Sequence, residues 1–302
     1  MENDAVRTTH TPVLLREAME HLALRPGDTA IDCTLGGGGY TNAMLEEVGD
    51  RGHVCAIDRD PTAIAAAQLL PWATARAKQI TFIHSDFRDL VTIAAQAACA
   101  HPRAIVADLG FSSLQLGASN RGFSFTTDGP LDMRLDPTSE QATAAAVLQG
   151  STRKEIEHML RTYGEEPAAA RLAQAMVDQR KRKPIRTTHE LAALIERVIP
   201  RRGRIHPATR TFQALRIAVN DELGALTDVI PQMLNVVDVG GRIAIVSFHS
   251  LEDRIVKQRF RAAERQGIGR MLTKRPLQPT ASEVERNPRS RSAKLRVIER
   301  IR

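Results

Sequence analysis

Two stretches of the chain hold residue types at spacings that could build a nucleoside site. The first is Gly36-Gly-Gly-Gly39, which follows the short apolar alternation of Ala30, Ile31, Cys33 and Leu35 and precedes a helical pattern from Tyr40 to Val48. Strand, glycine turn and helix in succession let a backbone approach a nucleotide closely, because residues without side chains permit positive φ and leave room against the main chain. The second is His53-Val-Cys-Ala-Ile-Asp58, a strand pattern ending in a carboxylate. It lies about twenty residues on, where a Rossmann-type site sets the acid that accepts hydrogen bonds from both ribose hydroxyls. A glycine run alone is also compatible with a tight turn; the flanking elements and Asp58 favour the nucleoside site.

The identity of the nucleoside is sharper. A dinucleotide fingerprint started at Gly36 or Gly37 needs glycine at 41 or 42, where Thr41 and Asn42 stand. The seat for a pyrophosphate is therefore not well made. The pattern Asp32-x-x-x-Gly36-x-Gly38 instead suits a ligand without phosphates, such as S-adenosylmethionine. A further carboxylate, Asp108 in Asp108-Leu-Gly-Phe111, ends the fourth predicted strand. Amine methyltransferases carry Asp/Asn-Pro-Pro-aromatic at this point. An exocyclic base amine is a poor nucleophile because its lone pair is delocalised into the ring. A carboxylate or carbonyl accepting its N–H bonds localises that pair, and an aromatic platform stacks the extruded base. Leu109-Gly110 is not Pro-Pro, and a strand-end turn cap is the plainer role for Asp108.

The elements that must position these groups follow from periodicity. Thr11-Pro-Val-Leu-Leu15 opens a predicted helix with Thr11 as N-cap and Pro12 at its first position. Strands at Ile80–His84 and Ala104–Leu109 alternate with helices at 61–70 and 90–98, which predicts a parallel, doubly wound sheet. Ligands lie off the C-terminal strand ends of such sheets, so Gly36–Gly39, Asp58, Asp86-Phe87 and Asp108 should converge on one crevice. From about 138 to 204 the pattern is helical throughout, at 140–149, 152–162, 166–181 and 188–199, and reads as an insertion. It carries the basic runs Arg180-Lys-Arg-Lys183 and Arg201-Arg-Gly-Arg204. A helix at 207–223 follows, with Arg216 expected to lay its stem over apolar surface. The α/β rhythm returns with Arg242–Phe248 and closes with Lys294–Glu299, while 267–292, rich in Pro, Arg and Ser, predicts loose order. Ser250-x-x-Asp253 reads as a capping box, and His249 as a residue lining the crevice.

Composition narrows the function classes. The chain has 302 residues, enough for one large domain or two modest ones. No apolar run approaches a membrane span and the N-terminus has no signal-peptide pattern, which predicts a cytoplasmic protein. Cys33, Cys55 and Cys99 lie in apolar stretches without ligand spacing, so the expectation is buried reduced thiols and no metal site. Residues 254–302 hold 15 basic and 4 acidic side chains, against 27 and 31 in the first 253. A cationic tail on a near-neutral body points to a polyanionic partner.

Taken together, His10-Thr-Pro-Val-Leu-Leu15, Asp32-Cys-Thr-Leu-Gly-Gly-Gly-Gly39, Ala56-Ile-Asp-Arg-Asp-Pro61, Asp108-Leu-Gly-Phe-Ser-Ser113, Arg121-Gly-Phe-Ser-Phe125, Asp128-Gly-Pro-Leu-Asp-Met-Arg134, His206-Pro-Ala-Thr-Arg-Thr-Phe-Gln213 and Ser247-Phe-His-Ser-Leu-Glu-Asp-Arg254 resemble the bacterial small-subunit rRNA cytosine-N4 methyltransferases, the RsmH or MraW type. The resemblance covers nearly the whole chain. It implies an α/β fold, a class I Rossmann-like methyltransferase core (1–115 and 216–302) interrupted by an all-helical insert (116–215) that recognises RNA. The implied donor is S-adenosyl-L-methionine and the implied partner is 16S rRNA within the small ribosomal subunit, methylated at a cytosine of the decoding centre. Matched by motif, the cofactor contacts fall on Gly38, Gly39, Tyr40, Asp58, Phe87, Asp108 and Gln115, with Asp108 and Phe111 in the catalytic roles. Relatives commonly carry His where Tyr40 stands. A homodimer is compatible with the sequence, which does not fix the oligomeric state. A nicotinamide-dependent oxidoreductase is disfavoured by Thr41. A non-catalytic assembly factor is disfavoured by the complete set of crevice residues.

Overall fold

The computed structural model describes residues 12–302, apart from 98, 202, 204 and 205 and the side chain of Ser113. Thr11, read as a helix cap, and Arg202 and Arg204 of the second basic run lie outside the described residues. The chain forms two units, Met1–Ser113 with Leu223–Arg302, and Leu114–Glu222. Seven strands, β1 (Thr29–Asp32), β2 (His53–Asp58), β3 (Ile80–His84), β4 (Ala104–Asp108), β5 (Arg242–Ser247), β6 (Gly269–Met271) and β7 (Lys294–Arg300), make one sheet. In chain order the helices are α1 (Leu15–Leu22), α2 (Gly39–Val48), α3 (Pro61–Gln68), α4 (Pro71–Ala75), α5 (Leu90–Gln96), α6 (Ser113–Gly117), α7 (Ala144–Gly150), α8 (Arg153–Gly164), α9 (Ala169–Arg182), α10 (Thr188–Val198), α11 (Ala208–Asn220), α12 (Glu222–Val236), α13 (Ser250–Arg265) and α14 (Ala281–Arg286). None of the described helices is long and apolar enough to cross a membrane.

The sheet order is β3-β2-β1-β4-β5-β7-β6. β1 to β5 run parallel, β7 is antiparallel to β5, and β6 is antiparallel to β7. The chain therefore moves outward from β1 through β2 to β3, then crosses to β4 on the other side of β1. The β1–β4 pair is the switch point, and in such sheets ligands lie beyond the carboxyl ends of the strands. Because successive side chains of a strand face opposite ways, each central strand feeds two cores. Ile31, Cys55, Ile57, Ile105 and Ile245 pack with Leu90 and Ile93 of α5, Met233 of α12 and Phe260 of α13. Ala30, Val54, Ala56, Val106 and Val246 pack with Ala18 and Leu22 of α1 and Met44 and Leu45 of α2. Burial on both faces explains why these strands read as apolar runs rather than as alternating polar and apolar residues.

Local chemistry sets several boundaries. Asp60 caps α3 by accepting from the Thr62 N–H, with Pro61 in the first helical position. α1 starts at Leu15 rather than at Pro12 because Leu14 holds a left-handed φ of 55°. The segment expected to be loose is ordered. β6 pairs with β7, the Val297 N–H donates to Thr273 Oγ1 at 2.8 Å, and Leu277 bridges to Leu295. The cap of α13 is also corrected: the reciprocal pair is His249 and Glu252, not Ser250 and Asp253. Asp253 instead receives Arg296 Nε at 2.6 Å and Lys294 Nζ at 3.1 Å from β7. Those two ion contacts hold the Asp253 carboxyl below its usual range against the opposing effect of burial.

The expectation of reduced thiols throughout does not hold. Cys55 of β2 and Cys99, before β4, form a disulfide between residues 44 apart, with a Cα–Cα distance of 6.4 Å. That distance is ordinary for a disulfide. Sequence spacing gives no sign of it, since only the sheet brings the two together. Cys33 is buried and free.

The second unit is helical, α6 to α11, with capping boxes Thr152/Glu155 on α8 and Thr187/Glu190 on α10. Buried Arg121 donates through Nη2 to the carbonyls of Arg134 and Leu135, at 3.1 and 2.9 Å, and sits over the Phe123 ring. Arg134 grips Asp132 with two bonds of 2.8 and 2.9 Å. Phe125 stacks on His206, with centroids 4.5 Å apart, and meets Phe212 edge-on. The motifs Arg121–Phe125, Asp128–Arg134 and His206–Gln213 thus build this unit's frame. Arg216 pairs with Glu222 at 2.9 Å and is buried, so it does more than cover apolar surface.

Candidate functional site

In the first unit the ends of β1, β2 and β4 bring three carboxylates around the glycine turn. Asp32 is fully buried; its Oδ2 accepts from Thr41 Oγ1 at 2.7 Å and its Oδ1 from the Thr34 N–H at 3.0 Å. Thr34 Oγ1 in turn accepts the Asp108 N–H at 2.6 Å, tying the turn after β1 to the end of β4. Asp58 Oδ2 accepts the Gly36 N–H at 2.8 Å, and its Oδ1 the Asp60 N–H at 2.8 Å. The acid at the end of β2 therefore holds the glycine turn itself and keeps a lone pair on each oxygen for a ligand. Asp108 is half-buried, yet its Oδ1 is closed to solvent and accepts no hydrogen bond.

The electrostatics follow from that crowding. Burial raises Asp32 and Asp58 to about 6 each. Burial first, then the charges of Asp32 and Glu252, push Asp108 well above the carboxylate range. A site with this donor set repels a pyrophosphate and attracts a cation. S-adenosylmethionine, with its sulfonium charge and ribose hydroxyls, fits both the acid cluster and the uncommitted acceptors.

The glycines are explained by their surroundings. Gly38 has φ 79°, and a Cβ there would lie 2.4 Å from the Trp72 ring. A Cβ on Gly39 would strike the Pro12 ring at 2.1 Å. Gly36 has φ 50° but room, since its nearest neighbour would be Ser112 Cβ at 3.6 Å. Gly38→Ala should therefore destabilise the protein by about 1–3 kcal/mol, and Gly36→Ala by about 1 kcal/mol. Denaturant melts of the two variants check the order; equal losses would remove the Trp72 clash as the reason.

The other expected site residues lie as follows. Tyr40 is buried and its hydroxyl donates to the Val13 carbonyl at 2.5 Å, so the phenol is committed to the segment before α1. Phe87 begins a 3-10 turn after β3 and is half-buried against the core. Phe111 is half-buried just past β4, where Gly110 approaches Phe248. Gln115 belongs to the second unit and is buried in α6. His249 caps α13: the Glu252 N–H donates to its Nδ1 at 3.4 Å, and Nε2 lies 3.1 Å from Glu252 Oε1. Both ring nitrogens thus face Glu252, which suits a fixed cap better than a mobile base. Sequence reading passed over Thr34 and Trp72, and used Thr41 only to exclude a dinucleotide rather than as the partner of Asp32. Thr34, a small polar residue between Asp32 and the glycine run, and Trp72, the chain's sole tryptophan, were the available signals.

The family model and the curated relatives agree. Residues 7–301 match the model of the MraW methylase family. The chain is 47% identical to the ribosomal RNA small subunit methyltransferase H of Thermomicrobium roseum, over 99% of this chain and 95% of that protein. It is 45% identical to the protein of the same name from Trichlorobacter lovleyi, over 97% of this chain and 98% of the other. Among solved structures, an rRNA methylase from Streptococcus thermophilus aligns over 96% of this chain and 93% of its own, at 12% identity and a TM-score of 0.44.

Proposed function

The chain belongs to the MraW methylase family, and from that premise we propose that it transfers a methyl group from S-adenosyl-L-methionine to the exocyclic 4-amino group of a cytosine in the decoding centre of 16S rRNA. The observation that carries the reading is the crevice of Asp32, Asp58 and Asp108 around the glycine turn, with an unpartnered carboxylate oxygen at its centre. When bound, the donor supplies a methyl group on a positively charged sulfur. Every other task falls to this chain. The main chain of the glycine turn faces the ligand, with Gly38, Gly39 and Tyr40 contacting it. Asp58 accepts the ribose hydroxyls, and Phe87 lines the same unit's pocket. Asp108 accepts the amine N–H and orients its lone pair, while Phe111 stacks the extruded base. No covalent intermediate on the protein is needed.

Incubating small ribosomal subunits with methyl-labelled donor tests this reading. Label should enter the small-subunit rRNA; label confined to protein would contradict it.

The helical insert, read as residues 116–215, is proposed as the RNA-gripping part. Within the run 180–183, Arg180 donates to the Leu148 carbonyl and Lys183 pairs with Glu190 at 2.6 Å. Lys181 and Arg182 are exposed and are the pair left for phosphates. Replacing both with alanine should reduce the log–log salt slope of RNA binding by roughly 1–2, at about 0.7–0.9 per phosphate contact. An unchanged slope would make this helix end a solvated surface only.

A further inference from the structure

Asp108 stands apart from its neighbours. Asp32 uses both oxygens on Thr34 and Thr41, and Asp58 uses both on the Gly36 and Asp60 backbone. Glu252 spends Oε2 on the Phe248 and His249 N–H groups. Asp108 Oδ1, sealed from solvent, accepts nothing. The charged groups that act on it are acids, Asp32 from β1 and Glu252 from α13, and the Tyr40 hydroxyl on α2 is neutral. Among the described residues no cation pairs with it. An unpaired carboxylate in such a place is strongly disfavoured, whereas the neutral acid is tolerated.

We infer that Asp108 carries a proton in the free protein and releases it when the positively charged methyl donor binds, so that this residue makes the crevice distinguish charged donor from neutral product. The inference rests on the donor assignment above. On binding, the Asp108 O–H bond breaks and its proton passes to solvent, leaving an anion opposite the sulfonium charge and free to accept from the amine. During transfer the S–CH3 bond breaks and the N–CH3 bond forms. The amine gives up one N–H proton, and Asp108, again without a cation nearby, takes one up. One positive charge enters and one proton leaves per turnover. Burial and the charges of Asp32 and Glu252, which push the Asp108 pKa up, agree with this state.

Isothermal titration at about pH 7.5, in two buffers of different ionisation heat, counts protons released per ligand bound. S-adenosylmethionine should release up to one proton more than S-adenosylhomocysteine. The donor-to-product affinity ratio should rise with pH, by at most tenfold per unit, above the range in which Asp32 and Asp58 titrate. The amino groups of the two ligands titrate differently because only one lies near a sulfonium charge, so the Asp108 contribution is read as the difference between the parent and Asp108→Asn. Asp108→Asn, which cannot ionise, should abolish the excess proton and flatten the ratio. Asp58→Asn should weaken both ligands and leave the pH slope of the ratio intact. Equal proton release by donor and product in the parent protein, or an undiminished excess in Asp108→Asn, would overturn the inference while leaving the donor assignment standing. Failure of both ligands to bind would overturn the two together.

Discussion

Asp108→Ala should yield a protein that folds at least as stably as the parent and transfers methyl groups roughly a hundred- to ten-thousandfold more slowly. The two effects have one cause. The folded chain holds the Asp108 carboxyl where burial, Asp32 and Glu252 all oppose its charge. A group whose pKa is raised on folding binds protons more tightly in the native state. Stability is therefore lost as pH rises from its unfolded value of about 3.9 toward the raised value. Alanine has no such group, so the variant's advantage should be absent at about pH 4 and grow above it. Urea melts at acid and alkaline pH read the stability, and single-turnover methyl transfer reads the rate. A variant less stable than its parent at alkaline pH, or one with parental activity, would refute the role given to Asp108.

Asp58→Ala should weaken donor binding about ten- to a hundredfold, because hydrogen bonds to a charged acceptor contribute about 1.5–3 kcal/mol. Part of that loss is indirect. Asp58 Oδ2 also holds the Gly36 N–H, so alanine frees the glycine turn as well as removing the ribose acceptor. Asp58→Asn separates the two, since the amide oxygen still accepts one bond but carries no charge. The same carboxyl has been raised to about 6 by burial, so parental affinity should fall as pH drops below that value and the acceptor becomes protonated. Calorimetry showing equal affinity in parent and Asp58→Ala would remove the ribose assignment.

Much of the sheet was legible because its strands are short apolar runs broken by glycine, aspartate and proline. The expected approach of Asp58 and Asp108 to the Gly36–Gly39 turn followed from one rule, that strand ends of a parallel sheet face one crevice, whereas Asp32 was not among the residues expected there. What was illegible depends on distant partners. The stretch 267–292 reads as loose by composition, yet β6 is fixed by pairing with β7 and Leu277 by Leu295. The Cys55–Cys99 disulfide, the Asp253–Arg296 pair and the Tyr40–Val13 bond each join residues far apart in sequence, and no local pattern announces them. His249 took the capping role assigned to Ser250 because β5 ends at Ser247 and α13 opens at Ser250. In the helical unit, motifs that read as signatures of function prove to be internal frame. Arg121 and Asp132 bind backbone and side chain within their own unit.

The chemistry assigned to Asp108 also bears on the product. Methylation of a pyrimidine at carbon 5 needs an accessible cysteine nucleophile. Here Cys55 and Cys99 are bonded to each other, and Cys33 is buried with its thiol pushed well up by burial. Methylation of the amine needs only acceptors and alignment. Mass spectrometry of nucleosides from small-subunit rRNA, treated with donor and this protein, is the most direct test. The predicted result is N4-methylcytidine at a single position, lost with Asp108→Ala and retained in a Cys33→Ser variant that folds; 5-methylcytidine at that position, or no methylated cytidine at all, would contradict it.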